Sequence, residues 1–390
     1  FGRREAVIAL FCLACVLASS REPGLSVWKM LRLVPASLMV LEAMRIFRSE
    51  DQAFRRRILR WGALLVALTA LPALVSDFVL EGLEESLLLA TMWPMMATVA
   101  ISGDEREFQM RMHSLIHLAV SVLLACMVVH VVNEDVSMLK GRFRGVFGNP
   151  NELSHWLLPF ALTLLAPAIG VPSRVKWSAI AGACFLFFLT GTRGAMLALV
   201  LAVLGVWLIH ATIKRWLVGV VLIAGFAMFF VSQISDFTVF DQFVPHRFVR
   251  NESAVEGGGR MIAWSHAWSE IQKRPLWGGG GGFEQRYFSE NYSYFSTLDH
   301  EGMSHNSLLA FAMDFGLLSS LCLVISLFSI LGLFKGDLWL FAVPALLFSV
   351  TVEGWLTAPM SACSPAMFFV AGLLGSASTN LANHLLREGH

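Results

Sequence analysis

Charge is scarce in this chain of 390 residues: Asp, Glu, Lys and Arg make up 15% of it, against about 25% in soluble domains. That shortage excludes a string of soluble domains, as does the 56% share of AVILMFWYC. A net charge of +1 leaves no basic footprint for nucleic acid. The cysteines (Cys12, Cys15, Cys126, Cys184, Cys322, Cys363) all sit within apolar runs. They provide no disulfide pair for an outer loop and read as small hydrophobes. Cys12-x-x-Cys15 has a redox spacing, but a dithiol site inside an apolar run is not expected. No internal repeat is visible.

What the chain does have is apolar runs of about 17–25 residues, each long enough to cross a bilayer as a helix. They stand near 6–18, 31–47, 61–80, 86–102, 115–132, 153–170, 177–190, 194–213, 216–234, 306–331, 338–356 and 362–381. The expected fold is therefore all-α: a polytopic integral membrane protein of about 12 transmembrane helices. It divides into helices over 1–234, a large extramembrane loop over 235–305 and further helices over 306–390. Residues are expected to precede Phe1, and Arg3 and Arg4 ahead of Ala6–Ala18 read as the start of a first span rather than a leader. One set of alternate loops carries Arg48, Arg55, Arg56, Arg57, Arg60, Arg106, Arg111, Arg174, Lys176, Lys214, Arg215 and Lys335. The opposite short loops carry only Arg21, Lys29, Lys140, Arg142, Arg144 and Arg193. The bias puts both termini in the cytoplasm and the 235–305 insert outside.

The insert is unusual in content. It holds all three tyrosines (Tyr287, Tyr292, Tyr294), three tryptophans (Trp264, Trp268, Trp277) and the glycine runs Gly257–Gly259 and Gly278–Gly282. Between those runs, Met261, Trp264, Trp268 and Ile271 recur at helical spacing and Pro275 follows, which predicts an amphipathic helix from Arg260. Its N-terminus favours an anion through free N–H groups and the helix dipole. Three other segments bring polar groups to the same outer face. They are the turn Arg142-Phe-Arg144-Gly-Val-Phe-Gly-Asn149-Pro150-Asn151, the tight link Gly191-Thr192-Arg193-Gly194, and Ser304-His305-Asn306-Ser307 where the insert meets the next span.

Each arginine alone reads most simply as a snorkelling interfacial residue. Together, Arg142, Arg144, Arg193, Arg260 and His305 at helix ends of one face point to a pocket for a highly anionic group beside a titratable base. Guanidinium stays charged in apolar surroundings and pairs phosphate bidentately. Converging arginines stabilise charge that builds on a leaving diphosphate, and imidazole takes a proton from a hydroxyl near neutral pH. Aromatic faces of the insert suit sugar rings. A glycan carried on a lipid diphosphate at the outer membrane surface meets all these requirements. Asp299, His300 and Glu301 lie near His305, but their spacing matches no metal signature such as H-E-x-x-H, and no metal is expected.

At these residues the sequence resembles the O-antigen ligase family of bacterial inner-membrane enzymes, within a ligase/polymerase superfamily. The carrying motifs are Thr190-Gly-Thr-Arg193-Gly-Ala, Gly259-Arg260-Met-Ile-Ala-Trp264, Pro275-Leu-Trp-Gly-Gly-Gly-Gly and Ser304-His305-Asn306-Ser, with Gly316 after the histidine motif and the Phe147-Gly-Asn-Pro-Asn151 turn before them. The likeness is strongest over 140–320. It implies transfer of O-antigen polysaccharide from undecaprenyl diphosphate to lipid A-core on the periplasmic side. The implied reaction is a single inverting displacement without metal, nucleotide or other cofactor. By the resemblance, Arg193 and Arg260 hold the donor diphosphate and His305 acts as base or orients the acceptor hydroxyl. Asn306 fixes the geometry of His305, and Arg142, Arg144, Asn149, Asn151 and Trp264 are further substrate-binding candidates. An O-antigen polymerase is the nearest alternative, and a protein O-oligosaccharyltransferase is more distant. A secondary transporter is the alternative of another class, with Glu42, Asp314 and Glu353 as its membrane carboxylates.

Overall fold

The computed structural model describes residues 3–19, 31–50, 52–101, 105–139, 141–165, 173–209, 260–297 and 303–331, with Ser349 and Cys363. The expected spans 216–234, 338–356 and 362–381 lie outside the described residues, apart from Ser349 and Cys363. In apolar surroundings a backbone must satisfy its own polar groups, and a helix does so within one segment. The apolar runs are accordingly helical: α1 (Arg3–Ser19), α2 (Leu33–Ser49), α3 (Gln52–Leu74), α4 (Val79–Ile101) and α5 (Glu105–Val132). A single turn α6 (Glu134–Ser137) and a two-stranded hairpin, β1 (Met138–Leu139) with β2 (Arg142–Phe143), then precede α7 (Pro150–Leu165), α8 (Ser173–Thr190) and α9 (Arg193–Ile209). In the hairpin, Met138 pairs with Phe143 and Leu139 with Arg142, antiparallel. The insert contributes α10 (Arg260–Lys273), α11 (Phe283–Glu290) and α12 (Tyr292–Thr297), and α13 (Ser307–Leu331) follows.

By length and composition, His113–Val132 and Ser307–Ile325 are apolar enough to cross a membrane unaided, whereas Trp177–Thr190 and Gly194–Leu204 are shorter apolar helices. Two sequence expectations need correction. The span expected at 61–80 is interrupted, because Ser76 Oγ donates to the Ala73 carbonyl (2.8 Å) and accepts from the Phe78 N–H (3.2 Å), closing a turn between α3 and α4. Arg106 and Arg111, read as loop residues, stand inside α5, and the Arg111 side chain is 1% exposed.

One apolar core runs through the bundle, with Phe11, Met39, Leu65, Met96, Trp156, Phe187 and Phe315 among its buried members. The outward faces are apolar too: Leu124, Val128, Val131 and Val132 on α5 are all exposed. An exposed apolar stripe of that extent is what a lipid-facing helix carries.

The insert docks on the bundle through a break in α13. Gly316 has φ 86° and ψ 167° within that helix, which interrupts the i to i−4 ladder. The loop after α10 fills the gap: Gly279 N–H donates to the Met313 carbonyl (2.7 Å), Gly280 N–H to the Asp314 carbonyl (2.8 Å), and Leu317 N–H to the Pro275 carbonyl (2.9 Å). A β-carbon on Gly316 would overlap the Leu276 carbonyl, and one on Gly278 (φ 65°) would lie 2.5 Å from the Asp314 carbonyl oxygen. Two glycines thus allow two backbones to meet at hydrogen-bonding distance. Arg286 on α11 adds a second attachment, its guanidinium 3.3 Å from the centre of the Phe78 ring and 3.7 Å from Glu81.

The predicted insert helix is present, but its buried stripe is Ala263, Ala267 and Ile271, while Trp268 is 46% exposed. Small residues at i and i+4, Ala263 and Ala267, let α10 approach α13 closely, and the tryptophan expected on that stripe is turned outward instead.

Gly316→Ala should weaken the whole protein, since a positive-φ position costs a side-chain residue about 1–3 kcal/mol before any overlap is counted. Gly182→Ala is the control, because a β-carbon there meets nothing within 4 Å. Thermal unfolding in detergent should show a lower Tm for the first and an equal or higher one for the second; equal melting of both would count against the docked break.

Candidate active site

Two groups of the candidate residues are built on helix N-termini. The first surrounds Arg142. Its Nε donates to the Thr190 carbonyl (2.6 Å), and its Nη2 donates to Asn151 Oδ1 (2.7 Å) and Thr192 Oγ1 (3.5 Å). Thr192 Oγ1 in turn donates to Asn151 Oδ1 at 3.2 Å. One guanidinium therefore joins the hairpin, the start of α7 and the α8–α9 link. A β-carbon on Gly191 (φ 62°) would stand 3.2 Å from Arg142 Nε, so the link is glycine where the guanidinium passes. Asn149 caps α7, its Oδ1 accepting the Asn151 N–H at 2.7 Å, with Pro150 as the first helical residue. Arg144 is turned to its own loop: Nε donates to the Val136 carbonyl (2.9 Å) and Nη1 to the Gly148 carbonyl (3.4 Å).

Below this group lies a polar layer that sequence reasoning missed. Ser154 Oγ and Thr190 Oγ1 are 2.5 Å apart, His155 Nδ1 is 3.1 Å from Ser349 Oγ, and Cys363 Sγ donates to the Glu152 carbonyl at 3.4 Å. The available signal was Glu152-Leu-Ser-His155, a polar run in the first turns of an otherwise apolar span. Ser154 and His155 are both buried, so α7 is tied to neighbouring elements by hydrogen bonds as well as by Trp156 and Leu158.

The second group surrounds His305. Its backbone has φ 48°, the only positive φ outside glycine among the described residues. Such backbone strain persists only where neighbours over-determine it, and it concentrates at functional sites. The neighbours are identifiable. Asn306 Oδ1 accepts from Leu308 N–H (3.0 Å) and Leu309 N–H (3.1 Å), capping α13. Trp264 Nε1 donates to the Ser304 carbonyl (2.7 Å), and Glu284 Oε1 accepts the Ser304 N–H (2.7 Å). Ser304, His305, Asn306 and Ser307 are all buried, with His305 8% exposed. Arg260 is the first residue of α10, four residues before Trp264. The hydrogen bond from Trp264 thus brings the start of α10 towards the His305 segment.

The structure therefore gathers Arg142, Asn149, Asn151 and Thr192 in one group and Trp264, Glu284, His305 and Asn306 in another. Arg193 opens α9 directly after Thr192 of the first group. The two groups are linked through α13, whose Phe311 and Phe315 join Trp156 and Leu157 of α7 and Ala195, Ala198 and Leu199 of α9 in one core, while its Ala312 and Met313 pack with Ala263, Ala267 and Ile271 of α10 in a second. Asp299, His300 and Glu301 lie outside the described residues, as does the glycine run Gly257–Gly259. Beside the second group, His266 Nδ1 is 3.0 Å from the Tyr287 hydroxyl, with the Tyr294 and Phe295 rings packed on the imidazole. Burial, and secondarily the Glu270 carboxylate, raises the Tyr287 phenol above its usual range, so it stays neutral.

Two of the carboxylates that a transporter would use, Glu42 and Asp314, have partners within the protein. Glu42 accepts from Arg45 (2.6 Å) and faces Arg3 at 3.5 Å. Asp314 Oδ1 accepts the Glu284 N–H at 2.8 Å, capping α11 from another helix. Glu353 lies outside the described residues.

Arg142→Lys should keep charge but lose the fork that bridges three elements. The expected result is a fall in Tm corresponding to about 1–3 kcal/mol, read by thermal unfolding; unchanged melting would mean the bridge is dispensable.

Comparison with known proteins places these groups in context. Residues 178–324 match the profile of a family described as O-antigen ligase, and no curated protein matches the chain. The matched stretch runs from α8 through the insert to most of α13. It contains Arg193, Arg260, Trp264, His305, Asn306 and both docking glycines, Gly278 and Gly316, whereas Arg142, Arg144, Asn149 and Asn151 precede it. Such a family implies a membrane-bound enzyme that transfers glycosyl groups, of the O-antigen ligase or polymerase kind. Through residues 178–324, this chain is thus similar to the O-antigen ligase family.

Proposed function

We propose that the chain is an O-antigen ligase. It transfers polysaccharide from undecaprenyl diphosphate to a sugar hydroxyl of lipid A-core at the periplasmic face of the inner membrane. The observation that carries this reading is His305, held in a strained backbone at the cap of α13, with Trp264 of α10, the helix that Arg260 opens, bonded to its neighbour Ser304.

In this reading the acceptor hydroxyl oxygen attacks the anomeric carbon of the glycan, and His305 takes the hydroxyl proton. The anomeric C–O bond breaks, and its electron pair leaves with the lipid diphosphate. Arg193 and Arg260 bind that diphosphate and stabilise the charge it gains. The capped N-termini of α7 and α13 and the start of α9 add dipoles favourable to an anion. Arg142, Asn149 and Asn151 support the Arg193 side of the pocket by holding the α8–α9 link, and Arg144 shapes the loop that carries them. Asn306 sets the start of α13. No metal has a role in this reaction, because guanidinium groups neutralise the leaving group. A polymerase would use the same donor chemistry and differ in acceptor, so the acceptor is the quantity to measure.

Purified protein incubated with undecaprenyl-diphosphate-linked glycan and lipid A-core should yield glycan on lipid A-core. A longer glycan still on its carrier would instead indicate a polymerase, and neither product would remove the reading. His305→Ala should reduce this transfer by about 100-fold or more, within the range expected for loss of a general base, with Tm retained; near-normal transfer would take the base role from His305. Transfer should also persist in excess EDTA. Loss in EDTA restored by Mg²⁺ or Mn²⁺ would overturn the metal-free mechanism.

A further inference from the structure

His305 adopts a backbone conformation that its own side chain disfavours, so something next to it must enforce the geometry. The adjacent residue Ser304 is 1% exposed, and both of its peptide groups are taken by side chains from other elements. Its N–H donates to Glu284 Oε1 on α11 at 2.7 Å, and its carbonyl accepts from Trp264 Nε1 on α10 at 2.7 Å. Glu284 is itself located by Asp314 of α13, which accepts its backbone N–H at 2.8 Å. Two helices therefore converge on the two peptide groups of Ser304, and a third locates one of them. A carboxylate acceptor makes a shorter and stronger bond than a neutral one, and water would have sufficed for an ordinary surface loop.

We infer that Glu284 and Trp264 are positioning residues. By gripping the two peptide groups of Ser304 they set the left-handed backbone of His305, and with it the line along which the imidazole meets the acceptor hydroxyl. This rests on the role given to His305 in the proposed function and extends it to two residues with different tasks. The Trp264 indole N–H serves the protein backbone, and Glu284 serves as an acceptor rather than as a charge partner of the imidazole. Glutamine at 284 keeps the acceptor oxygen and removes the charge, whereas alanine strands a buried N–H.

The experiment uses the full chain in detergent with lipid-linked glycan and lipid A-core, comparing Glu284→Ala, Glu284→Gln, Trp264→Phe and the double variant Glu284→Ala/Trp264→Phe. Glu284→Ala should lower kcat by about 10- to 100-fold, the scale of a misplaced catalytic group, with the donor KM nearly unchanged. Glu284→Gln should restore most of the rate, with the pH profile of transfer unshifted. Because both side chains hold one residue, the double variant should lose less than the product of the single losses. Hydrogen–deuterium exchange in the peptide containing Ser304 and His305 should quicken in Glu284→Ala and stay slow in Glu284→Gln, with no turnover required. Unchanged exchange in Glu284→Ala would overturn the inference. So would a Glu284→Gln variant as slow as Glu284→Ala, or a loss confined to KM. If exchange and rescue behave as expected while His305→Ala remains fully active, the grip on Ser304 stands and the base assignment falls.

Discussion

The arrangement depends on one junction, where a broken membrane helix is completed by a loop from outside it. At Gly316 the ladder of α13 is interrupted, and the Pro275–Gly280 loop takes up the carbonyls of Met313 and Asp314 and the N–H of Leu317. Irregular backbone at membrane depth persists only where protein supplies the missing hydrogen bonds. The junction therefore constrains both partners. It holds the insert against the bundle, and it orients the first half of α13, at whose N-terminus His305 and Asn306 stand.

From that junction the order passes outward through named contacts. Asp314 caps α11, α11 presents Glu284 to Ser304, and Trp264 of α10 grips the same residue from the other side. The Arg142 group forms a second framework on the bundle core, where a hairpin, a capped helix and a two-residue link are tied by one guanidinium. The two frameworks share a construction rule: backbone groups freed at helix ends are satisfied by side chains that come from distant sequence. Each includes a capped helix N-terminus, a setting in which negative charge is favoured.

Much of this was legible in the sequence, and the reasons are physical. Asn149-Pro150 at the start of α7 was readable because capping and proline geometry are local. The α10 helix was readable from apolar spacing between a glycine run and a proline. Glycine runs marked close backbone approach, though not what they approach. Other features were not legible. The turn at 75–78 hides inside an apolar stretch, since Ser76 and Asp77 are too few to break a hydropathy average. Trp268 follows the helical period yet faces outward, because tight packing against α13 selects the small Ala263 and Ala267 for the buried stripe. Glu284 carries no motif, since its role depends on a backbone N–H twenty residues away.

By itself, then, the sequence determined a mostly helical membrane chain, the helix that begins at Arg260, and a family likeness borne out over 178–324. Those properties follow from local hydropathy, charge and turn chemistry, which need no knowledge of neighbours. Only the tertiary structure decided which arginine is a strut, which carboxylates are caps and how the His305 backbone is held. Each of those depends on which donor meets which acceptor across segments as far apart as Arg142 and Thr190, and folding alone makes that pairing.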